Sequence, residues 1–362
     1  MREMWRLFRP DSASVFEDPK VRSSLGRYID VAEDRKAAKF VVSKSIGTGE
    51  ALAGISTEGL WELHRRLLGD FKRFEGMVDG GAPLRRADPS FLDLKAEIAR
   101  RMMSSCSFCT RGCKVDRLAG KAGYCRCGSE VAVSSLFAHM GEEPELVPSG
   151  TIFTMGCTMA CVYCQNWEIS QWVDAGERRS PEWLSRGVEE LRRQGCRNAN
   201  LVGGEPTPWL WHWLEAFRRV CVNVPVVWNS NGYYSEATAE LLKGFVDVYL
   251  LDFKYGPGGC AERLSDAPGY WEGCARNHLS AIEWGEVIVR VLVLPGHLEC
   301  CTKPVLEWIA SQLGRGTRVN LMFQFRPEWR AKEGGLGRRL SRDEERRAVR
   351  MAIDAGLENF IV

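Results

Sequence analysis

The sequence has no run of about 18 uncharged apolar residues, the length a helix needs to cross a bilayer. Its opening stretch, Met1-Arg-Glu-Met-Trp-Arg-Leu-Phe-Arg-Pro10, also lacks the apolar core of a signal peptide. A cytoplasmic protein without a membrane partner is expected. Excess charge is missing too: 49 basic side chains face 47 acidic ones for a formal net charge of +2, so no global field would recruit nucleic acid. Internal repeats and low-complexity tracts are absent. With 45% hydrophobic and 27% charged residues, the chain is neither disordered nor fibrous. Nor are the 14 cysteines spread like a disulfide framework. Eight of them crowd between Cys106 and Cys164 in two groups spaced like ligand sets, which points to thiolate metal binding in a reducing compartment.

What is present reads as α/β. Residues 1–100 are mainly helical: Leu60-Trp-Glu-Leu-His-Arg-Arg-Leu-Leu68 and Phe91-Leu-Asp-Leu-Lys-Ala-Glu-Ile-Ala99 repeat apolar residues at three- and four-residue intervals, with a Gly80-Gly81-Ala82-Pro83 breaker between them. That segment carries no chemistry and is expected to be a helical cap or a partner-docking surface. A cysteine-rich metal-binding region follows at 101–145. From 146 to 330, short apolar runs at 151–154, 200–202, 224–228, 246–251, 287–294 and 318–323 alternate with amphipathic stretches at 181–193, 209–220 and 303–312. Runs apolar throughout suit strands covered on both faces. Six βα units are fewer than the eight of a closed barrel, so a partial (β/α)6 TIM-like barrel is expected, with its chemistry at the C-terminal strand ends. Residues 331–362 should add a C-terminal helix and a short final strand.

After the first of these runs comes Gly156-Cys157-Thr-Met-Ala-Cys161-Val-Tyr-Cys164-Gln-Asn-Trp167. Thiolates at this density suit an iron–sulfur cluster or zinc. A cubane has four irons and the loop offers Cys157, Cys161 and Cys164, so one iron would stay free to bind another ligand. A zinc knuckle would need a fourth ligand, and the nearest upstream histidine, His139, belongs to a different segment. The second run ends in Val202-Gly203-Gly204-Glu205-Pro206-Thr207, where paired glycines admit close approach of a ligand.

This C-x3-C-x2-C loop, followed one βα unit later by Gly-Gly-Glu-Pro, resembles the signature of the radical S-adenosylmethionine (SAM) superfamily. The resemblance implies a [4Fe–4S] cluster whose open iron chelates SAM and reduces it to a 5′-deoxyadenosyl radical, with Tyr163 against the adenine and Gly203, Gly204 and Glu205 toward the SAM amine. Trp228-Asn229-Ser230-Asn231-Gly232, Leu250-Leu251-Asp252-Phe253-Lys254 and the Arg290 to Pro295-Gly296 run are similar to motifs of the glycyl-radical-enzyme activases, typified by pyruvate formate-lyase activating enzyme. By that similarity Asn231, Asp252, Lys254 and Arg290 join the SAM pocket; a buried ion pair steadying strand ends is the alternative role of the charged ones. Asn229, Ser230 and Asp252 would be candidates for a monovalent cation, although Asn229 stands where the family has aspartate, and Gln324 stands where the activase has histidine. Gly141-Glu-Glu-Pro144, Gly150-Thr-Ile-Phe153, Cys164-Gln-Asn166 and Ile169-Ser170 resemble activase-like proteins of unassigned substrate.

Upstream, Cys106, Cys109, Cys113, Cys125 and Cys127 supply five thiols, enough for Cys106, Cys109 and Cys113 with either of the last two to close a second site, zinc or [4Fe–4S]. Cys196, Cys221, Cys260, Cys274, Cys300 and Cys301 read as core or loop residues, Cys260, Cys274, Cys300 and Cys301 being those that could meet on a further metal. The expected function is an activase-like radical SAM oxidoreductase. Its implied partners are a one-electron donor such as flavodoxin or ferredoxin and a substrate that is a glycyl-radical enzyme or another protein. The same chemistry on a small molecule or RNA, and a non-catalytic iron–sulfur or zinc protein, are the alternatives.

Overall fold

The computed structural model of the chain describes residues 5–172 and 175–362. Residues 1–4 of the N-terminal segment lie outside the described residues. The described strands are β1 (Val131–His139), β2 (Ser149–Thr154), β3 (Glu177–Arg179), β4 (Asn198–Gly203), β5 (Val226–Ser230), β6 (Val248–Asp252), β7 (Glu286–Leu292), β8 (Arg318–Met322) and β9 (Phe360–Ile361). They form one open sheet in the order β3-β1-β2-β4-β5-β6-β7-β8-β9. From β2 through β4, β5, β6, β7 and β8 every pairing is parallel, the six strands read from the apolar runs. β9 extends this set in parallel beyond β8. On the other side β1 runs antiparallel to β2, and β3 antiparallel to β1. Sequence patterning does not announce those two: β1 is buried only over its first three residues, and β3 is Glu-Arg-Arg.

Helices cover the outer face. Pro181–Arg193 begins with Ser180 accepting from the Trp183 amide and with proline in its first turn, both helix-start signals. Lys303–Trp308 continues as a π-helical turn, Ile309–Leu313.

The inner face is layered by the period-2 alternation of the strands. Registers Val227↔Val248 and Leu250↔Ile288 bring apolar side chains together, and two residues on from Val227, Leu250 and Ile288 come Asn229, Asp252 and Arg290, the last two paired with each other and Arg290 also with Asn320. The apolar layer is sealed from below by the helix Pro19–Ala32: its Val21, Leu25, Tyr28 and Ile29 share one core with Leu146, Val227, Val248, Leu250 and Ile288. Glu286, at the base of β7, accepts from the Arg27 and Tyr28 amides at 2.8 and 2.6 Å and fixes that helix in place.

Above the apolar layer the interior is ionic. The loop entering β2 sends Glu142 and Glu143 inward onto Arg290: Nε meets Glu143 at 2.6 Å, Nη2 meets Glu143 at 2.6 Å and also Glu142, and Nη1 meets Asn229 at 3.1 Å. Asn200 donates to Glu142 at 3.1 Å and Asn320 to Glu143 at 2.8 Å. Burial alone would raise the Glu142 carboxyl, but Arg290 and His139 hold it below its ordinary range.

Removing Arg290 would leave the buried Glu143 without a cation and Glu142 with His139 alone, so Arg290→Ala should lose about 3–5 kcal/mol of stability. Chemical denaturation checks this; a loss under about 1 kcal/mol would mean that the ionic layer is solvated. Because the folded value of Glu142 lies below its unfolded one, its stabilisation is present above about pH 4.5 and fades as pH falls further. Glu142→Gln should therefore flatten the acid limb of the stability profile, an expectation that an unchanged limb would refute.

Candidate active site at the three-cysteine loop

The C-terminal ends of the parallel strands open on a cavity of about 230 Å³ lined by Cys157, Cys161, Tyr163 and Cys164, by Gly203, Gly204 and Glu205, and by Asn231, Asp252, Lys254 and Arg290. All these positions were singled out in the sequence, and the fold gathers them from β2, β4, β5, β6 and β7 at the end where α/β sheets place chemistry. Gln324 and Asn229 line it as well.

The cysteine loop leaves β2 and is held from several sides. Gly156 donates to the Ile169 carbonyl at 2.8 Å, while Ala160 and Val162 donate to the Ser265 and Leu264 carbonyls, both at 2.9 Å. Donors converge on the sulfurs: Ser265 Oγ lies 2.9 Å from Cys161 Sγ, Ser170 Oγ 3.3 Å from Cys164 Sγ, and the Met159 amide 3.4 Å from Cys157 Sγ. Burial pushes the Cys157 and Cys164 thiols up and Cys161 to about 11. Three sulfurs, Cys157 buried and Cys161 and Cys164 half-buried, with converging donors fit thiolates that a metal cluster would hold deprotonated. Nothing in the sequence pointed to Ser265, which lies a hundred residues from the loop in another βα unit.

At the end of β4, Gly203 has φ of 151°, and a Cβ there would lie 2.1 Å from the Thr154 carbonyl oxygen. A Cβ on Gly204 would lie 2.3 Å from the Gly156 carbonyl oxygen. Only glycine lets this strand end press against the base of the cysteine loop. Glu205 is buried and burial raises its carboxyl, which accepts from Ser230 Oγ at 2.6 Å, Thr207 Oγ1 at 2.5 Å and the Asn231 amide at 2.8 Å. It thereby braces Asn231, whose Nδ2 reaches Thr158 Oγ1 at 3.1 Å and Cys157 Sγ at 3.6 Å.

Lys254 Nζ sits 2.6 Å from Asp252. Burial would lower the lysine, but Asp252 and the neighbouring Cys161 and Cys164 outweigh it and keep the ammonium charged. Arg290 reaches the cavity with its guanidinium held by Glu142, Glu143 and Asn229. Tyr163 is buried, with its hydroxyl 2.6 Å from that of Tyr255 and its ring edge-on to Phe325.

The upstream thiols form a separate group beside this site. Cys106, Cys113 and Cys125 all face Cys109 closely enough to act on its thiol, which burial pushes up to about 12. Cys125 is held down at about 6 by its hydrogen bond from Cys127. Cys127 is fully buried, its Sγ also lying 3.3 Å from the Cys125 carbonyl and 3.7 Å from that of Met155. Arg111 ties the two loops together, donating from Nε to the Thr158 carbonyl at 2.8 Å and lying over the Tyr124 ring.

Residues 151–309 match the Radical SAM superfamily. Over 337 residues, 91% of this chain and 96% of the relative, the sequence is 42% identical to the uncharacterised Methanocaldococcus jannaschii protein MJ0674. Among solved structures, Streptococcus suis SuiB bound to its precursor peptide SuiA aligns with a TM-score of 0.41 and 11% identity, over 56% of this chain and 46% of SuiB, so the aligned part is under half of that protein. A domain of pyruvate-formate lyase-activating enzyme from Bacteroides vulgatus aligns with a TM-score of 0.32 and 15% identity, over 50% of this chain and 89% of the domain.

A Cβ at Gly204 can be admitted only by moving backbone, so Gly204→Ala should lower iron incorporation at the three-cysteine loop at least tenfold while circular dichroism keeps the fold. Wild-type iron content in that variant would contradict the close-approach argument.

Proposed function

Because the chain belongs to the radical SAM superfamily, whose members are generally enzymes, we propose that it reductively cleaves SAM at a [4Fe–4S] cluster on Cys157, Cys161 and Cys164. In the activase-like form of this reading, hydrogen is then taken from a C–H bond of the substrate. The observation that carries it is the single cavity in which three thiols and every candidate SAM contact meet. When bound, the cluster supplies the electron that breaks the S–C5′ bond of SAM, giving methionine and a 5′-deoxyadenosyl radical. The protein's residues do the holding. Gly203, Gly204 and Glu205 would face the SAM amine, Lys254 would offset its carboxylate with Asp252 fixing the lysine, and Tyr163 would flank the adenine. Arg290, already paired with two glutamates, would serve as a rigid wall rather than as a free clamp. The burial of Cys157 and Tyr163 supports exclusion of water from the reacting atoms. A small one-electron donor protein, flavodoxin or ferredoxin in type, would supply the reductant.

For the upstream group we propose a closed site on Cys106, Cys109, Cys113 and Cys125, without Cys127. Four thiolates, one for each iron, suit a second [4Fe–4S] cluster, with one zinc ion on the same four sulfurs as the alternative. Loss of a closed thiolate site also removes its contribution to folding.

Incubated anaerobically with reductant and SAM, the reconstituted protein should form 5′-deoxyadenosine, and the triple variant of Cys157, Cys161 and Cys164 to alanine should form none. Equal product from both would overturn the reading. In a second comparison, Cys109→Ala should lose about half of the iron and melt lower, whereas Cys127→Ala keeps its iron; zinc lost in place of iron would replace the second cluster with a zinc site, and unchanged metal in Cys109→Ala would remove the site altogether.

A further inference from the structure

Six cysteines lie outside both loops, and three of them meet. The helix Cys260–Ser265 follows β6, while His297, Cys300 and Cys301 follow β7 at a π-helical turn, Leu298–Thr302. The donor atoms of Cys260, His297, Cys300 and Cys301 all lie within 4.8 Å of one another, the one such group of three or more possible ligands among the described residues. Cys274, the other cysteine of these loops, is not in it: its thiol turns to the Asp252 carbonyl, 3.4 Å away.

The separations identify the kind of ion. A tetrahedral centre with metal–sulfur bonds of about 2.3 Å and metal–nitrogen bonds of about 2.0–2.1 Å has sulfur–sulfur edges of about 3.8 Å and sulfur–nitrogen edges of about 3.5 Å. Cys260 Sγ to Cys300 Sγ is 3.8 Å, and Cys300 Sγ to Cys301 Sγ is 3.8 Å. Nδ1 of His297 lies 3.5 Å from Cys260 Sγ and 3.3 Å from Cys300 Sγ. Disulfides would require sulfurs about 2.05 Å apart. A cubane, which gives each thiolate its own iron, would spread them further. π-Helical turns are rare and recur at functional sites. Here the turn presents Cys300 and Cys301 together toward Cys260. Gly256 makes room for it: a Cβ there would stand 2.2 Å from the Cys300 carbonyl oxygen.

We propose that Cys260, His297, Cys300 and Cys301 bind one zinc-class divalent ion, a third metal site distinct from both cysteine loops. Three thiolates and an imidazole leave no open position, so the site is structural. Its role follows from what the helix Cys260–Ser265 carries. The ion fixes the first residue of that helix to the β7 loop. Ser265 and Leu264, at the other end, take the backbone and Cys161 contacts of the cluster loop. The ion is thus a stake that holds the outer wall of the three-cysteine loop. This inference does not depend on the reaction proposed above, because its readouts are zinc and thiol protection.

Cys300 and Cys221 are both exposed thiols, and only the first belongs to the group. In wild-type protein treated anaerobically with iodoacetamide and mapped by peptide mass, Cys221 should be alkylated at once and Cys300 only after a zinc chelator is added. Zinc content by mass spectrometry should fall by one equivalent per chain in Cys300→Ser and in His297→Ala, and stay at the wild-type level in Cys221→Ser. Equal alkylation of Cys300 with and without chelator, or wild-type zinc in both variants, would overturn the site. The alkylation arm uses unmodified protein, so it decides the matter even where a variant fails to fold.

Discussion

The ion cluster of Arg290 with Glu142 and Glu143 is the constraint on which the rest of this structure depends. Six parallel strands do not close into a barrel, and an open sheet of this curvature leaves an interior that must be filled by something other than its own strands. The helix Pro19–Ala32 fills the lower part with apolar side chains. The loop before β2 fills the upper part with two carboxylates, and those carboxylates are tolerable only because Arg290, Asn200 and Asn320 meet their oxygens. Through Arg290 this polar layer reaches the cavity. Arg290 also donates to Asn229 on β5 at 3.1 Å.

Above that layer the site is assembled by contacts between strand ends rather than by any one motif. β4 can press on the cysteine loop because Gly203 and Gly204 carry no Cβ. Glu205 holds Asn231, and Asn231 reaches toward Cys157. On the opposite side the helix Cys260–Ser265 supplies Ser265 to Cys161. The sulfurs therefore stand in a ring of donors whose own positions are fixed by buried hydrogen bonds, the preorganisation that a cofactor-dependent radical reaction asks of its protein.

Much of this was legible in the sequence. The six parallel strands were apolar on both faces, and the cysteine spacing with its following Gly-Gly-Glu-Pro turn marked the ends of β2 and β4. β1 and β3 were not legible, because a half-buried hairpin strand and a three-residue charged strand carry no strong period. Arg290 could be read as a site residue or as a buried ion pair, and the fold makes it both a cavity wall and a paired cation. That its partners are Glu142 and Glu143 is a long-range pairing with no local trace. His297 was invisible for the same reason: nothing in the sequence brings the β7 loop to Cys260. Cys127 could not be separated from Cys125 by spacing alone, since only the fold shows which thiol faces the core.

The central claim is that the three-cysteine loop holds a cluster with an open iron that takes SAM. Electron paramagnetic resonance of the dithionite-reduced protein tests it most directly, with Cys109→Ala used so that the upstream site adds no signal. The account predicts a reduced [4Fe–4S] spectrum whose g-values shift when SAM is added, because SAM becomes a ligand of the unique iron. A spectrum that SAM leaves unchanged would contradict it.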